Sequence, residues 1–296
     1  VSASSPQQRA IRIAATFAFG LAILKGLAFL QSGSVALLAS LVDSLLDGLA
    51  SVVNLIAIRY AMAPPDNEHR FGHGKAEPLA ALAQTAFITG SGVFVLLEAA
   101  RRYTLDEPST TQPALGIAVM LVAIIGTALL VLYQRHVAKK TGSLVVEADA
   151  LHYLSDMLGN LAVLAALILA SQPTLWWVDP LAAIVVAGYV LHSAYSVGRK
   201  ALGQLMDHEL SEALRDDILH AAQQEPGVLG VHDLKTRAAG PYRFVQLHLE
   251  LDAQQSLESA HTISDKVAQR VREVCPDAQI IVHQDPVDPA GYPSQR

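Results

Sequence analysis

Six predominantly apolar stretches, at approximately 9–31, 34–62, 78–103, 113–136, 143–171 and 177–203, dominate the first two-thirds of the chain. Each is long enough for a helix that crosses a bilayer, which takes about 20 mainly apolar residues. Composition agrees, because 52% of the 296 residues are hydrophobic and only 16% are charged, against about 25% in soluble domains. Mean hydropathy is +0.34. Breaks at 32–33, 104–112 and 171–174 make short turns on one side, and 63–77 and 137–142 make turns on the other. The sequence therefore predicts an up-and-down bundle of six transmembrane helices.

Basic residues set the expected orientation. Arg9, Arg12, Arg59, Arg70, Lys75, Arg135, Lys139, Lys140, Arg199 and Lys200 all fall on the side that carries both termini, which marks that side as cytoplasmic. Arg101 and Arg102 run against the rule, with Asp106 and Glu107 close behind them. Trp176 and Trp177 fit an aromatic belt at the outer interface. The first stretch exceeds a signal-peptide core and has no small-residue cleavage site before Gln31, so it is expected to stay as a helix. The single cysteine, Cys275, excludes an internal disulfide framework and any multi-cysteine zinc cluster. Any metal must be held by histidine and carboxylate.

Such ligands are present inside the apolar stretches. Asp43 and Asp47 lie four apart in V-D-S-L-L-D-G, and His152 and Asp156 repeat that spacing in a second helix. Four-residue spacing stacks each pair on one helix face. Ionisable groups are costly in hydrocarbon and are functional by default, so two such helices turned together define a metal site. Glu147 and Asp149 sit near the start of helix five, where negative charge suits the helix dipole. Asp179 before Pro180 reads as an N-cap with a first-turn proline. Gly90, Ser91 and Gly92 read as a close-packing stripe.

Beyond about residue 206 the apolar density falls, dividing the chain into a membrane domain, 1–206, and a small soluble domain, 207–296. Residues 209–224 have helical periodicity, 228–237 and 242–251 read as strands around Gly240-Pro241, and Ser256 caps a helix over 257–274. A last strand begins at Ala278. The order α-β-β-α-β is a small α+β sandwich. His248 alternates with Val245, Leu247, Leu249 and Leu251 and so points away from the core. His283 and Asp285 share a strand face, and His232 and His261 complete a set suited to a zinc-like ion. A third group, Asp66, His69 and His73, lies in the glycine-containing loop P-P-D-N-E-H-R-F-G-H-G-K-A-E.

The chain resembles the cation diffusion facilitator family, in its bacterial zinc and iron efflux branch. The likeness rests on S-G-S-V-A-L-L-A-S-L-V-D-S-L-L-D, R-F-G-H-G-K-A-E-P-L-A-A-L-A-Q, V-V-E-A-D-A-L-H-Y-L-S-D, G-V-H-D-L-K-T-R, Q-L-H-L-E-L-D and I-I-V-H-Q-D-P, in that order along nearly the whole chain. The resemblance implies a transport tetrad at Asp43, Asp47, His152 and Asp156, and a loop site at Asp66, His69 and His73. It also implies a binuclear site at His232, His248, His261, His283 and Asp285, in a metallochaperone-like cytoplasmic domain that regulates and clamps a homodimer. Lys75 and Asp207 match a charge interlock of that branch. The implied setting is the bacterial inner membrane, with divalent metal and protons as partners, no nucleic acid and no enzymatic activity.

The expected mechanism follows from charge. Three ionised carboxylates and a neutral imidazole leave one net negative charge around Zn²⁺ and three when empty, which a low-dielectric interior disfavours. Protons are the natural replacement, with His152 the expected carrier because an unperturbed imidazole titrates near about 6.5. One imidazole among carboxylates favours Zn²⁺, with Cd²⁺ or Fe²⁺ as further cargoes. Two other classes fit less well. A membrane receptor needs no buried tetrad, and a metallohydrolase needs an open metal position and a general base.

Overall fold

A computed structural model of the chain describes residues 5–32, 35–104, 114–169, 178–276 and 278–287. Six long helices come first: α1 (Pro6–Ser32), α2 (Val35–Ala61), α3 (Ala76–Thr104), α4 (Ala114–Thr141), α5 (Leu144–Leu169) and α6 (Val178–Leu205). They are followed by α7 (Glu212–Gln223), β1 (Gly230–Ala239), β2 (Tyr242–Asp252), α8 (Leu257–Val274) and β3 (Ala278–Val287). The expected turns around residues 33, 105–112 and 171–174, and the tryptophans at 176 and 177, lie outside the described residues. The chain divides into two compact units, Val1–Leu202 and Gly203–Arg296.

In the first unit, α1, α2, α4 and α5 pack around small and branched side chains such as Ile11, Ala14, Ala18, Val145 and Val146. Glycines let the helices approach closely. A Cβ on Gly126 of α4 would lie 2.5 Å from the Phe17 ring of α1, and one on Gly92 of α3 would lie 2.9 Å from Leu191 of α6. Gly92 thus serves the packing expected of the stripe in α3, whereas a Cβ on Gly90 would meet nothing within 4 Å. The opposite faces carry Leu27, Leu30, Leu49, Ile56, Phe94 and Leu132, all exposed. So large an apolar exterior is suited to lipid rather than water. Among the described residues, the spans Pro6–Gln31, Ser40–Ala61 and Ala118–Thr141 are long and apolar enough to cross a membrane.

The end of α4 differs from the sequence expectation. Residues 137–141, read as part of a turn, continue α4. Val137 and Ala138 remain in the buried core, so the helix gains by extending through the basic stretch. It stops at Gly142, whose φ of 68° is open to glycine.

The second unit has a three-stranded sheet ordered β1-β2-β3. The β1–β2 pair is an antiparallel hairpin turning at Gly240 (φ 56°), and β2–β3 is parallel, with α8 as the crossover. Val245, Leu247, Leu249 and Leu251 bury one face of β2 against Ile218 and Ala222 of α7 and Val267 and Val271 of α8. Burying side chains of this size stabilises by about 1.5–3 kcal/mol each. Ser256 caps α8, its Oγ accepting from the Ser259 amide at 3.2 Å. With both helices packed on the apolar core, the alternate residues of β2, Gln246, His248 and Glu250, occupy the other face of the strand.

Candidate metal centres

Inside the helical unit, α2 and α5 bring Asp47, His152 and Asp156 together. His152 Nε2 lies 3.0 Å from Asp47 Oδ1 and 3.6 Å from Asp156 Oδ2. One ligand atom from each of the three falls within 4.8 Å of the others. His152 is buried, and Asp156 Oδ2 is buried without a hydrogen-bond partner. Two carboxylates and an imidazole around such an orphaned oxygen form a donor set for a divalent cation. Asp43 is not gathered into this group. It lies one turn earlier on α2, about 6 Å along the axis, and is exposed in the single chain.

The same region contains polar groups that the hydropathy pattern conceals. Lys25 of α1 is 9% exposed. Its Nζ donates to Ser44 Oγ at 2.7 Å and to the Ser40 carbonyl at 3.2 Å. Asp149 is wholly buried, where the sequence suggested only a helix-end charge. Its Oδ1 accepts from Asn54 Nδ2 at 3.0 Å and Gln84 Nε2 at 3.2 Å, and its Oδ2 accepts from Gln134 Nε2 at 2.5 Å. Ser51 Oγ, 3.5 Å from Oδ1, joins this network to Tyr153 Oη at 3.0 Å. The signal available in the sequence was one amide side chain in each of three apolar helices. Glu147 has a different environment, accepting from Lys200 of α6 at 2.7 Å.

Between α2 and α3, Asp66 organises the loop. Its Oδ1 accepts from the amides of Glu68 at 2.9 Å and His69 at 2.6 Å, a local turn of the kind aspartate favours. Asp66 Oδ2 is 3.1 Å from Nε2 of the buried His73, and Oδ1 is 3.4 Å from Nδ1 of His69. The three residues offer ligand atoms within 4.8 Å of one another. The backbone N–H of His69, aided by that of Glu68, holds the Asp66 carboxyl below its ordinary range. His73 Nδ1 is buried without a hydrogen-bond partner.

On the sheet, register creates a row of imidazoles. His232 pairs with His248 across β1–β2, and His248 pairs with His283 across β2–β3. Ring centroids are 5.2 Å apart for the first pair and 4.6 Å for the second. Asp285 lies among them, with Oδ2 at 2.8 Å from His248 Nδ1 and 3.3 Å from His232 Nε2, and Oδ1 at 3.3 Å from His283 Nε2. His232, His248 and Asp285 form the tight group. His261 stands apart on α8, exposed, its Nε2 3.5 Å from Asp265.

Two acidic residues absent from the sequence expectation flank the row. Glu250 Oε1 is 3.2 Å from His232 Nδ1, which lacks hydrogen-bond geometry to any partner. Asp233 occupies the irregularity in β1 between His232 and Lys235 with φ 47°. Such bulges re-aim side chains, and Asp233 Oδ2 comes within 3.6 Å of His248 Nε2. The Lys235 ammonium, donating to Asp233 at 2.7 Å, holds that carboxyl below its usual range. Two imidazoles and a carboxylate are a donor set suited to a zinc-like ion, and His232, His248 and Asp285 are the residues that would hold it. His283 stands next in the row.

A helical membrane unit with a half-buried cluster of carboxylates and imidazole, followed by a sheet that carries metal-type ligands, defines a membrane transporter for metal cations. Comparison with known proteins agrees: residues 11–206 match the cation efflux transmembrane domain and residues 210–287 match the cation efflux protein cytoplasmic domain. The chain belongs to the cation efflux, or cation diffusion facilitator, family, whose members are transporters of divalent metals rather than enzymes. It is 50% identical over 279 residues to the cation-efflux pump FieF of Shewanella oneidensis, covering 94% of this chain and 93% of that protein. It is 45% identical over 287 residues to the FieF pump of Serratia proteamaculans, covering 94% and 93% respectively. Among solved structures, CzrB in its zinc form matches at 32% identity and a TM-score of 0.26, covering 27% of this chain and 93% of that one.

Proposed function

We propose that the chain exports Zn²⁺ from the cytoplasm in exchange for protons, with Cd²⁺ or Fe²⁺ as alternative cargoes. The observation that carries this reading is the meeting of Asp47 and Asp156 around the buried His152 between two apolar helices. Asp43, one turn away on α2, completes a tetrad when α2 and α5 close on the ion. Loading discharges the repulsion among the carboxylates, and protonation on the opposite side restores neutrality as metal leaves. His152 carries a proton in this exchange, held between the Asp47 and Asp156 carboxylates. Rocking of the helices exposes the one site to each side in turn, driven by the proton gradient.

In this reading the protein is a homodimer in the bacterial inner membrane with both termini cytoplasmic. The loop group captures metal at the cytoplasmic mouth. The sheet group binds a resident ion that regulates the dimer, with His261 contributing only after α8 or a second subunit moves. The ligand chemistry supports Zn²⁺ over Mn²⁺, because imidazole suits zinc and all-oxygen sites suit manganese.

The test is Zn²⁺ flux in proteoliposomes with and without an imposed pH gradient, comparing the wild type with Asp47→Ala. Gradient-dependent flux that vanishes in the variant supports proton-coupled transport at this site. Wild-type flux indifferent to the gradient removes the coupling, and unimpaired flux in the variant removes the site.

A further inference from the structure

Lys25 is the one buried ammonium that the transport reading leaves unused among the described residues of α1–α6. It lies well inside α1 and is 9% exposed, in a position where an uncompensated charge is among the costliest things a membrane helix can carry. Its hydrogen bonds to Ser40 and Ser44 fix the ammonium against α2. Ser40, Ser44 and Asp47 follow one another at helical intervals of four and three residues, so the ammonium sits on the stripe that leads to the cluster. Ser44 lies between Asp43 and Asp47 on α2, so the ammonium is tethered within one helical turn of both carboxylates, and Asp47 in turn gathers with Asp156 of α5. Two neutral oxygens hold the ammonium in place without neutralising it, leaving its charge to act on the carboxylates.

We propose that Lys25 is a tethered counter-cation of the transport site, a positioning residue that weakens metal binding so that the ion can leave. The inference rests on the transport site proposed above. With Zn²⁺ bound between three carboxylates, the added ammonium brings the cluster from one net negative charge to zero. With metal gone, it reduces the exposed charge from three negative to two. The empty site is thereby stabilised and the loaded site is held less tightly. A transporter needs this balance, because a site that binds too firmly saturates and stops turning over. The tether matters because a free cation would itself be transported or exchanged, whereas Lys25 remains attached to α1.

The experiment measures initial Zn²⁺ flux against concentration in proteoliposomes at one fixed pH. It compares the full-length wild type with Lys25→Met, Lys25→Gln, Lys25→Arg and Asp47→Ala. Loss of the charge is expected to lower KM and kcat together, each by about ten-fold, the scale on which one nearby charge moves a neighbour's equilibrium. Lys25→Arg, which keeps the charge, retains wild-type values. Lys25→Gln keeps a donor for Ser44 and follows Lys25→Met, which separates charge from hydrogen bonding and supplies the measurement should the methionine variant fail to fold. A merely structural lysine gives the opposite sign, with KM raised as packing is lost. Raised or unchanged KM in the neutral variants overturns the proposal. Unimpaired flux in Asp47→Ala instead overturns the transport site on which it depends.

Discussion

Asp47 and Asp43 share a helix face, yet only Asp47 stands 3.0 Å from His152. Proximity to His152 is decided by depth along the axis as well as by facing. Asp47→Ala is therefore expected to abolish Zn²⁺ flux, while Asp43→Ala retains slow flux with a raised KM, as concentration-dependent uptake into proteoliposomes will show. Equal loss in both variants refutes this ordering. The loop carboxylate makes a pH prediction of a different kind. Asp66 is held below its ordinary range by amide donors. A depressed carboxylate stabilises its turn fully above the unfolded value of about 3.9 and loses that contribution as pH falls through its lower folded value. Acidification from neutral pH should thus leave the turn formed for as long as the Asp66 carboxylate stays ionised. The turn itself should survive to below about pH 4. Amide exchange at Glu68 and His69 reads the turn. Protection lost well above about pH 4 would contradict this assignment, and Asp66→Ala should lack protection at every pH.

At the level of elements, a single carboxylate ties α5 to three neighbouring helices. Asp149 accepts from Asn54 of α2, Gln84 of α3 and Gln134 of α4, three residues before His152. Asp149→Ala leaves the Gln84 and Gln134 amide donors without their acceptor, while Asn54 keeps its 2.7 Å bond to Gln84 Oε1, and the expected cost is about 3 kcal/mol. Asp149→Asn, which keeps the shape and one acceptor, should cost less. Thermal unfolding in detergent measures both, and a stability change within error for Asp149→Ala would show that water replaces the carboxylate. Hydropathy reveals how far such features are legible. Apolar runs of about 25 residues suffice to place α2 or α5, and alternation along 242–251 suffices to turn His248 away from the core. Neither tells which helices meet, so Asp149 read as a helix-end charge and Lys25 passed unnoticed within a strongly apolar stretch. The row from His232 through His248 to His283 depends on strand register, which comes from pairing across the sheet and not from spacing along it. His261 and Asp43 show the limit of ligand lists, because residue type makes them suitable and position in this fold sets them apart from the groups they were expected to join.

For the molecule as a whole, the two units have separate cores and different solvents. The helical unit shows apolar residues outward, and the second unit buries its own around β2. Metal at the sheet group can therefore alter the second unit without changing the ligands of the first. His248 is the central member of the imidazole row and is 2.8 Å from Asp285, so its removal breaks the group at its middle. An ion that binds only the folded state adds about 2.7 kcal/mol at a hundred times its Kd. The wild type should accordingly gain thermal stability and dimer population as Zn²⁺ is added, measured by scanning calorimetry and light scattering on the detergent-solubilised full chain. His248→Ala should lose most of that gain while Asp47→Ala keeps it. At saturating internal metal, His248→Ala should still carry Zn²⁺ flux, because Asp47, His152 and Asp156 are intact. If His248→Ala instead dimerises and responds to Zn²⁺ like the wild type, the sheet histidines do not clamp the dimer. If it loses flux at every concentration, the second unit is part of the transport step and not its regulator.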